Sequence, residues 1–349
     1  MASRADAGRA GPTIHDVARS AGVSTATVSR ALRGVDRVSV GTRDRVLAAA
    51  LRLDYVASPT ATSLATGRTG VVGVLAPFLS RWFFAHALDG VEHTLRTHGL
   101  HLLLLNVGSR PSTEPLLLDE VRLRKRVDAV LVVSCDLGAP EVAMLTALRV
   151  PVATLGVDVG PWDRVGVDDA AAGDSAMTHL LTLGHRRLAY VGGDVEQDVH
   201  VATAVQRLEG VRRALWRSGV DPDCVQALVG DWTIAGGLAA GGQLLDQLTP
   251  PTAVLAASDE MAIGVLMAAR QRGVRVPQEL SVMGVDDHEL AWTHDLTTVA
   301  QPVEALGTAA AQLVVDALAA GAPVPGRPRR VVTLATSLVV RGSTGPVPA

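Results

Sequence analysis

The chain has 349 residues, too many for one ordinary core, so two or three domains are expected. Its 48% hydrophobic content excludes global disorder, and a formal net charge of −3 argues against nucleic-acid binding by the molecule as a whole. The charge is uneven, however: residues 1–60 carry nine Arg, five Asp and no Lys, so a basic segment precedes an acidic remainder. A separate DNA-binding head has this charge pattern; chance unevenness in a short segment is the other reading. Cys135 and Cys224, the only cysteines, form no metal-ligand spacing and call for no oxidising compartment. The first twelve residues hold no apolar signal core and no apolar run reaches bilayer length. A cytoplasmic location without membrane contact is therefore expected.

Two short helices joined by a glycine turn open the folded part. Thr13 can cap the first, with Asp16 near its free amides, while Ile14, Val17 and Ala18 form one apolar face. Gly22 supplies the turn and Ser24 can cap the second helix. There Val28, Ala31 and Leu32 face inward and Thr25, Ala26, Ser29 and Arg30 outward. Such a helix fits the major groove. Thr25 and Ala26 can touch thymine methyls, and Arg30 can donate a forked pair to guanine. Ser24, Thr27 and Ser29 suit phosphates, which position rather than specify. A third helix is predicted from near Ser39 to about Leu53. On it Arg43 and Arg45 either meet phosphates or are ordinary solvated charges. A small three-helix accessory domain without DNA is the competing reading of this head.

Residues 56–69 are small and polar, with Leu64 the one large apolar residue. A helix this short is marginal alone in water. Read without further information, Leu64 is either a linker residue packed on the body or part of a segment that folds on a surface.

Beyond Gly70, strand-like runs at 71–76, 100–106, 129–133, 152–155, 188–191, 254–257, 281–285 and 331–334 alternate with helical stretches. The latter lie near 84–98, 116–125, 170–183, 204–218, 235–248, 261–273 and 303–320. Continuous apolar strands alternating with helices indicate parallel sheets covered on both faces. No phosphate-binding lysine loop or dinucleotide glycine fingerprint stands at a strand end, which weakens nucleotide-dependent enzyme readings. His185, Arg186 and Arg187 read as a loop brace before a strand. Asp287, His288 and Glu289 are adjacent and unsuited to converge on one ion, so neither a metal nor a cofactor is expected. Trp82-Phe83-Phe84 stands out in a chain with ten Phe, Tyr or Trp residues. Phe83 is either the wall of a ligand cleft or a core residue.

The head motifs Thr13-Ile14, Asp16-Val17-Ala18, Ala21-Gly22-Val23-Ser24, Thr27-Val28-Ser29-Arg30, Val38-Ser39, Thr42-Arg43 and Val46 resemble the signature of the lactose-repressor family of bacterial transcriptional regulators. Stretches in the body resemble it too: Val127-Asp128-Ala129, Gly184-His185-Arg186-Arg187, Asp259-x-Met261-Ala262, Gly284-x-Asp286-Asp287 and Leu338 to Thr344. The resemblance implies a small all-α helix-turn-helix head at 13–56 after a flexible tail at 1–12. A hinge follows at 57–69, then an α/β body at 70–344 and a tail at 345–349. The body would comprise two doubly wound parallel-sheet subdomains of periplasmic-binding-protein type. The amino subdomain is expected at about 70–168 plus 299–330, and the carboxyl subdomain at about 169–298 plus 331–344.

The resemblance further implies a homodimer on a pseudo-palindromic double-stranded operator, usually repressing.

 In the family, positions matching Thr25, Ala26 and Arg30 read bases, and a leucine matching Leu64 wedges into the minor groove, which bends the duplex. This chain has Ala57-Ser58 where relatives usually have Pro-Asn, and Thr62 where a basic or amide residue is common. A small sugar or polyol is implied in the cleft between the subdomains, at the carboxyl ends of their strands. Positions matching Arg207, Trp232 and Asp286 are frequent ligand contacts, with Phe83 a wall and Ser258 in place of a more usual asparagine. Asp168 stands near a subdomain crossing, as a structural or a ligand-facing residue. Ligand-driven population shift would then alter DNA affinity. A sugar-binding protein without operator control and a sugar-processing enzyme with a regulatory head are the alternatives.

Overall fold

The computed structural model describes residues 12–32, 38–55, 67–108, 123–194, 201–321 and 328–348. The chain divides into two compact units, Met1–Thr69 and Gly70–Ala349. Of the expected hinge, only residues 67–69 are described; Ala57, Ser58, Thr62 and Leu64 lie outside the described residues.

Among its described residues, the head is three helices, α1 (Ile14–Ala21), α2 (Thr25–Leu32) and α3 (Val40–Arg52). Their apolar spacing closes one small core. Val17, Val28, Val46 and Ala49 are fully buried, and Ile14, Leu32, Leu53 and Tyr55 pack around them. Gly22 ends α1 at φ 67°, a left-handed conformation that glycine adopts without strain. The turn is tight enough that the Val23 amide donates to the Ala18 carbonyl at 3.1 Å.

Among the described residues, the body contains two six-stranded sheets with matching strand orders. The amino half is β1 (Val71–Ala76), α4 (Trp82–Thr97), β2 (His101–Asn106), β3 (Ala129–Val133), α5 (Ala139–Ala147), β4 (Val152–Leu155) and β5 (Asp163–Gly166). The carboxyl half is α6 (Asp169–Thr182), β6 (Leu188–Gly192), α7 (Val201–Arg217), β7 (Gln226–Val229), α8 (Ile234–Leu245), β8 (Ala253–Ala256), α9 (Asp259–Gln271), β9 (Ser281–Asp286) and β10 (Thr297–Ala300). Helix α10 (Val303–Ala320) and two short strands, β11 (Val331–Thr333) and β12 (Ser337–Val339), complete the body. Strand order is β2-β1-β3-β4-β5-β11 in one sheet and β7-β6-β8-β9-β10-β12 in the other. Every pairing is parallel except β12 on β10. The central strands β3, β6, β8 and β9 are buried along their whole length, which explains their unbroken apolar runs. The edge strand β7 is largely exposed and correspondingly mixed in sequence.

The chain crosses between the halves after β5, after β10 and between β11 and β12. Two expected boundaries shift accordingly. Strand β11 pairs with β5, Val331 opposite Arg164, so residues 331–333 belong to the amino sheet rather than the carboxyl one. Residues 299–300 end β10 in the carboxyl sheet rather than beginning the amino segment. The expected helix at 116–125 falls mostly outside the described residues. Helix α10 is 18 residues long and apolar enough by composition to cross a bilayer. Its buried face, including Leu306, Ala310 and Val314, packs against α4 and the amino sheet, and that packing accounts for its character.

Candidate functional site

In the head, Ser24 accepts the Thr27 amide at 3.1 Å and its hydroxyl lies 2.9 Å from that of Thr27. These groups fix the start of α2 before any ligand is considered. Val28 and Ala31 fill the core, whereas Ser24, Ala26 and Arg30 are exposed and Thr25, Thr27 and Ser29 half-buried. Thr13 donates through its amide and its hydroxyl to Asp16, at 3.0 and 2.7 Å, and fixes the start of α1. Arg43 is half-buried rather than freely solvated, and its Nε is buried without a hydrogen-bond partner.

The second site is a cleft between the two body sheets, with about 660 Å³ of empty space including its open mouth. In both sheets the strand order reverses beside the first strand, and the cleft lies at the carboxyl ends there. Phe83, Arg207, Trp232, Ser258 and Asp286 all line it. Arg207 is positioned by the packing of α6 against α7. A side chain on Gly173 would run into the Arg207 carbonyl, and one on Gly210 into that of Ala170. This approach sets Arg207 Nε 2.8 Å from Asp169 Oδ1, in a pair with each side chain 6% exposed. Nη1 also donates to the Ala257 carbonyl. Burial works against the Arg207 charge, but Asp169 and Asp286 outweigh it and raise the pKa above its ordinary value.

Trp232 presents its ring 5.7 Å from the Arg207 guanidinium carbon. Asp231 and Trp232 both adopt left-handed conformations, with φ 53° and 54°. Across the cleft, Arg81 of the amino half donates through Nη1 to their carbonyls at 3.2 and 3.0 Å. Gly193 leaves room for the indole, since a Cβ there would overlap it. Phe83, in the first turn of α4, is half-buried and lies 5.4 Å from Phe84, centroid to centroid, so it both lines the cleft and extends the core. Ser258 caps α9 by accepting the Met261 amide at 3.3 Å, which leaves its hydroxyl proton available.

Asp286 ends β9, and its Oδ1 accepts a 2.7 Å hydrogen bond from Gln301 Nε2. Burial pushes the Asp286 carboxyl well above the ordinary carboxylate range against the pull of Arg207. Asp259, beneath it, is raised by burial as well, although it accepts hydrogen bonds from Thr298 Oγ1 and the His288 amide at 2.7 and 2.8 Å.

Other sequence candidates are structural. Asp168 caps α6 by accepting the Ala171 amide at 2.8 Å. His185 is fully buried, with Nδ1 2.9 Å from Thr252 Oγ1 and Nε2 3.0 Å from both Ser281 Oγ and the Gly345 carbonyl. It thereby ties down the final segment. Asp287 pairs with Arg341 at 2.7 Å, while His288 stacks on Trp82 with ring centroids 5.0 Å apart. Among the described residues, no group of three or more His, Cys, Asp or Glu is arranged to hold a metal ion. Arg81, Ser134, Asp169, Glu260 and Gln301 line the cleft without having been singled out from the sequence. The usable signal was position: each lies in, or within a few residues of, a strand end or crossing.

Residues 13–58 match the model for bacterial regulatory proteins of the lacI family, and residues 177–344 that for a periplasmic binding protein-like domain. The transcriptional repressor CytR of Escherichia coli K12 is 33% identical over 342 residues, covering 96% of this chain and 97% of that protein. The transcriptional regulator CelR of Thermobifida fusca is 34% identical over 343 residues, with coverage of 95% and 98%. A lac repressor dimer bound to operator and the anti-inducer ONPF superposes with a TM-score of 0.85 at 28% identity, covering 96% of this chain and 100% of that one. A CelR–cellobiose complex gives 0.67 at 32% identity, covering 95% and 99%. With its helix-turn-helix head, paired α/β halves and kinship along almost its whole length, the chain belongs to the lacI family of sequence-specific DNA-binding transcriptional regulators.

Proposed function

We propose that the chain is a homodimeric repressor of a pseudo-palindromic operator, controlled by a small sugar or polyol in the cleft. The observation that carries this reading is the convergence of Arg207, Asp286, Ser258 and the Trp232 ring on one cavity between two similar sheets. Paired donors and acceptors beside an aromatic face suit a polyhydroxylated ring. The CelR structure in complex with cellobiose supports a saccharide for this cavity.

In this reading, Thr25, Ala26 and Arg30 touch bases, while Ser24, Thr27, Ser29 and Arg43 approach the backbone. Leu64 supplies the minor-groove wedge. The protein acts in the cytoplasm and binds its effector without turning it over. Effector control requires unequal affinity for two arrangements of the halves, with a coupling of roughly 1–3 kcal/mol. A thermal-shift screen of sugars and polyols, followed by operator titration with each hit, tests the scheme. A hit that stabilises the protein yet leaves operator affinity unchanged refutes effector control.

A further inference from the structure

We infer that the cleft selects a neutral, hydroxyl-rich solute over phosphorylated or carboxylated ones, and that Glu260 is a specificity-determining residue. This inference rests on the cleft being the effector site. Among the described residues, five ionisable side chains line the cavity: Arg81, Asp169, Arg207, Glu260 and Asp286. Each cation already faces carboxyl groups. Arg207 is bonded to Asp169 and feels Asp286 as well. Arg81 spends its Nη1 on the carbonyls of Asp231 and Trp232, stands 4.1 Å over the Phe78 ring, and acts electrostatically on Glu260.

The unsatisfied groups point the same way. Among the described residues, the Glu260 carboxylate has no hydrogen-bond partner, and Asp286 uses only Oδ1, toward Gln301. The Glu260 oxygens call for donors, and Asp286 Oδ2, which accepts when ionised and donates when protonated, is met by a hydroxyl in either state. The free hydroxyls of a sugar supply donors and can also accept from the remaining Arg207 N–H groups. The charged group of a phosphate ester or uronate brings only acceptors and charge where the parent sugar has a hydroxyl. It must either sit beside Glu260 and Asp286 or draw Arg207 away from Asp169. The second course strands a buried carboxylate, and the first buries like charges together. A protonated Asp286 does not reverse the preference, because it leaves the lining with no excess of positive charge. Glu260 is half-buried and balances Arg81, among the described residues the one cation of the amino half that lines the cavity.

The test uses the full chain, with thermal shift and calorimetric titration of free aldopentoses, aldohexoses and disaccharides against their phosphate esters and uronic acids. The expected result is at least one neutral ligand whose charged counterpart binds about a hundredfold more weakly, the scale of losing a charged hydrogen bond and gaining a repulsion. A phosphate ester or uronate that binds as tightly as its parent overturns the inference while leaving effector control by a sugar intact. If no member of either series binds, the sugar reading itself fails, and this inference with it. In Glu260→Gln the gap between neutral and phosphorylated forms should narrow by roughly tenfold, because Arg81 is released from its carboxylate. An unchanged gap overturns the role given to Glu260.

Discussion

Replacing Asp169 with Ala removes the carboxylate that meets the buried Arg207 Nε at 2.8 Å. Stripping one partner from a buried ion pair costs about 3–5 kcal/mol. Here part of the loss is recovered, because Asp286 is a second carboxyl acting on the same guanidinium. Burial raises the Asp286 pKa, Arg207 pulls it down and Asp259 pushes it up. Without Asp169, the guanidinium acts on Asp286 alone and its pKa falls. In the unaltered protein, native Asp286 keeps its proton at pH values where the unfolded chain has lost it. Its contribution to stability therefore declines as pH rises from the ordinary carboxylate range toward the raised native value. That decline is shallower in Asp169→Ala. The stability gap between the two proteins is thus widest at about pH 5 and shrinks toward about pH 8, by about 1.4 kcal/mol for each unit that Asp286 drops. Urea unfolding at both pH values measures the gap. A gap that stays constant or grows with pH refutes the coupling of the two carboxyls through Arg207.

Gly173→Ala forces α6 away from α7 and should cost about 1–3 kcal/mol, with a fall in effector affinity because Arg207 moves; unchanged melting and affinity would contradict the packing argument. Arg30→Ala should weaken specific operator binding by about 1–3 kcal/mol and leave effector titrations unaltered; equal loss of both would remove Arg30 from base recognition. Burial holds the His185 pKa below its ordinary value despite the Gly345 carbonyl. Stability from this residue is full above the ordinary histidine range and is lost as pH falls through the depressed native value. The unaltered protein should therefore lose stability on acidification more steeply than His185→Asn, and parallel pH curves would refute that assignment.

The alternating pattern of the body was legible because its central strands are buried on both faces and read as unbroken apolar runs. Strands β5, β7, β10 and β12 were not, since three or four residues with Asp163, Arg164, Gln226, Thr297 or Ser337 among them carry no such run. Helix α5 is nine residues long and likewise left little periodic signal. In the cleft, Trp232 and Asp286 stand out by residue type beside a strand, whereas Asp169 does not. It is one of two adjacent aspartates, and only the fold shows that Asp168 turns to the helix amides while Asp169 meets Arg207. Arg81 is equally unreadable, because its partners are backbone carbonyls about 150 positions away in sequence.

Two of the three crossings between the body halves take part in the cleft itself: Val167 on the first and Gln301 on the second both line it. On the proposed reading, a solute in the cleft touches the linking segments as well as the two halves. How far the halves turn should then follow the bulk of the solute near those two residues, so that two sugars bound equally tightly can send different signals.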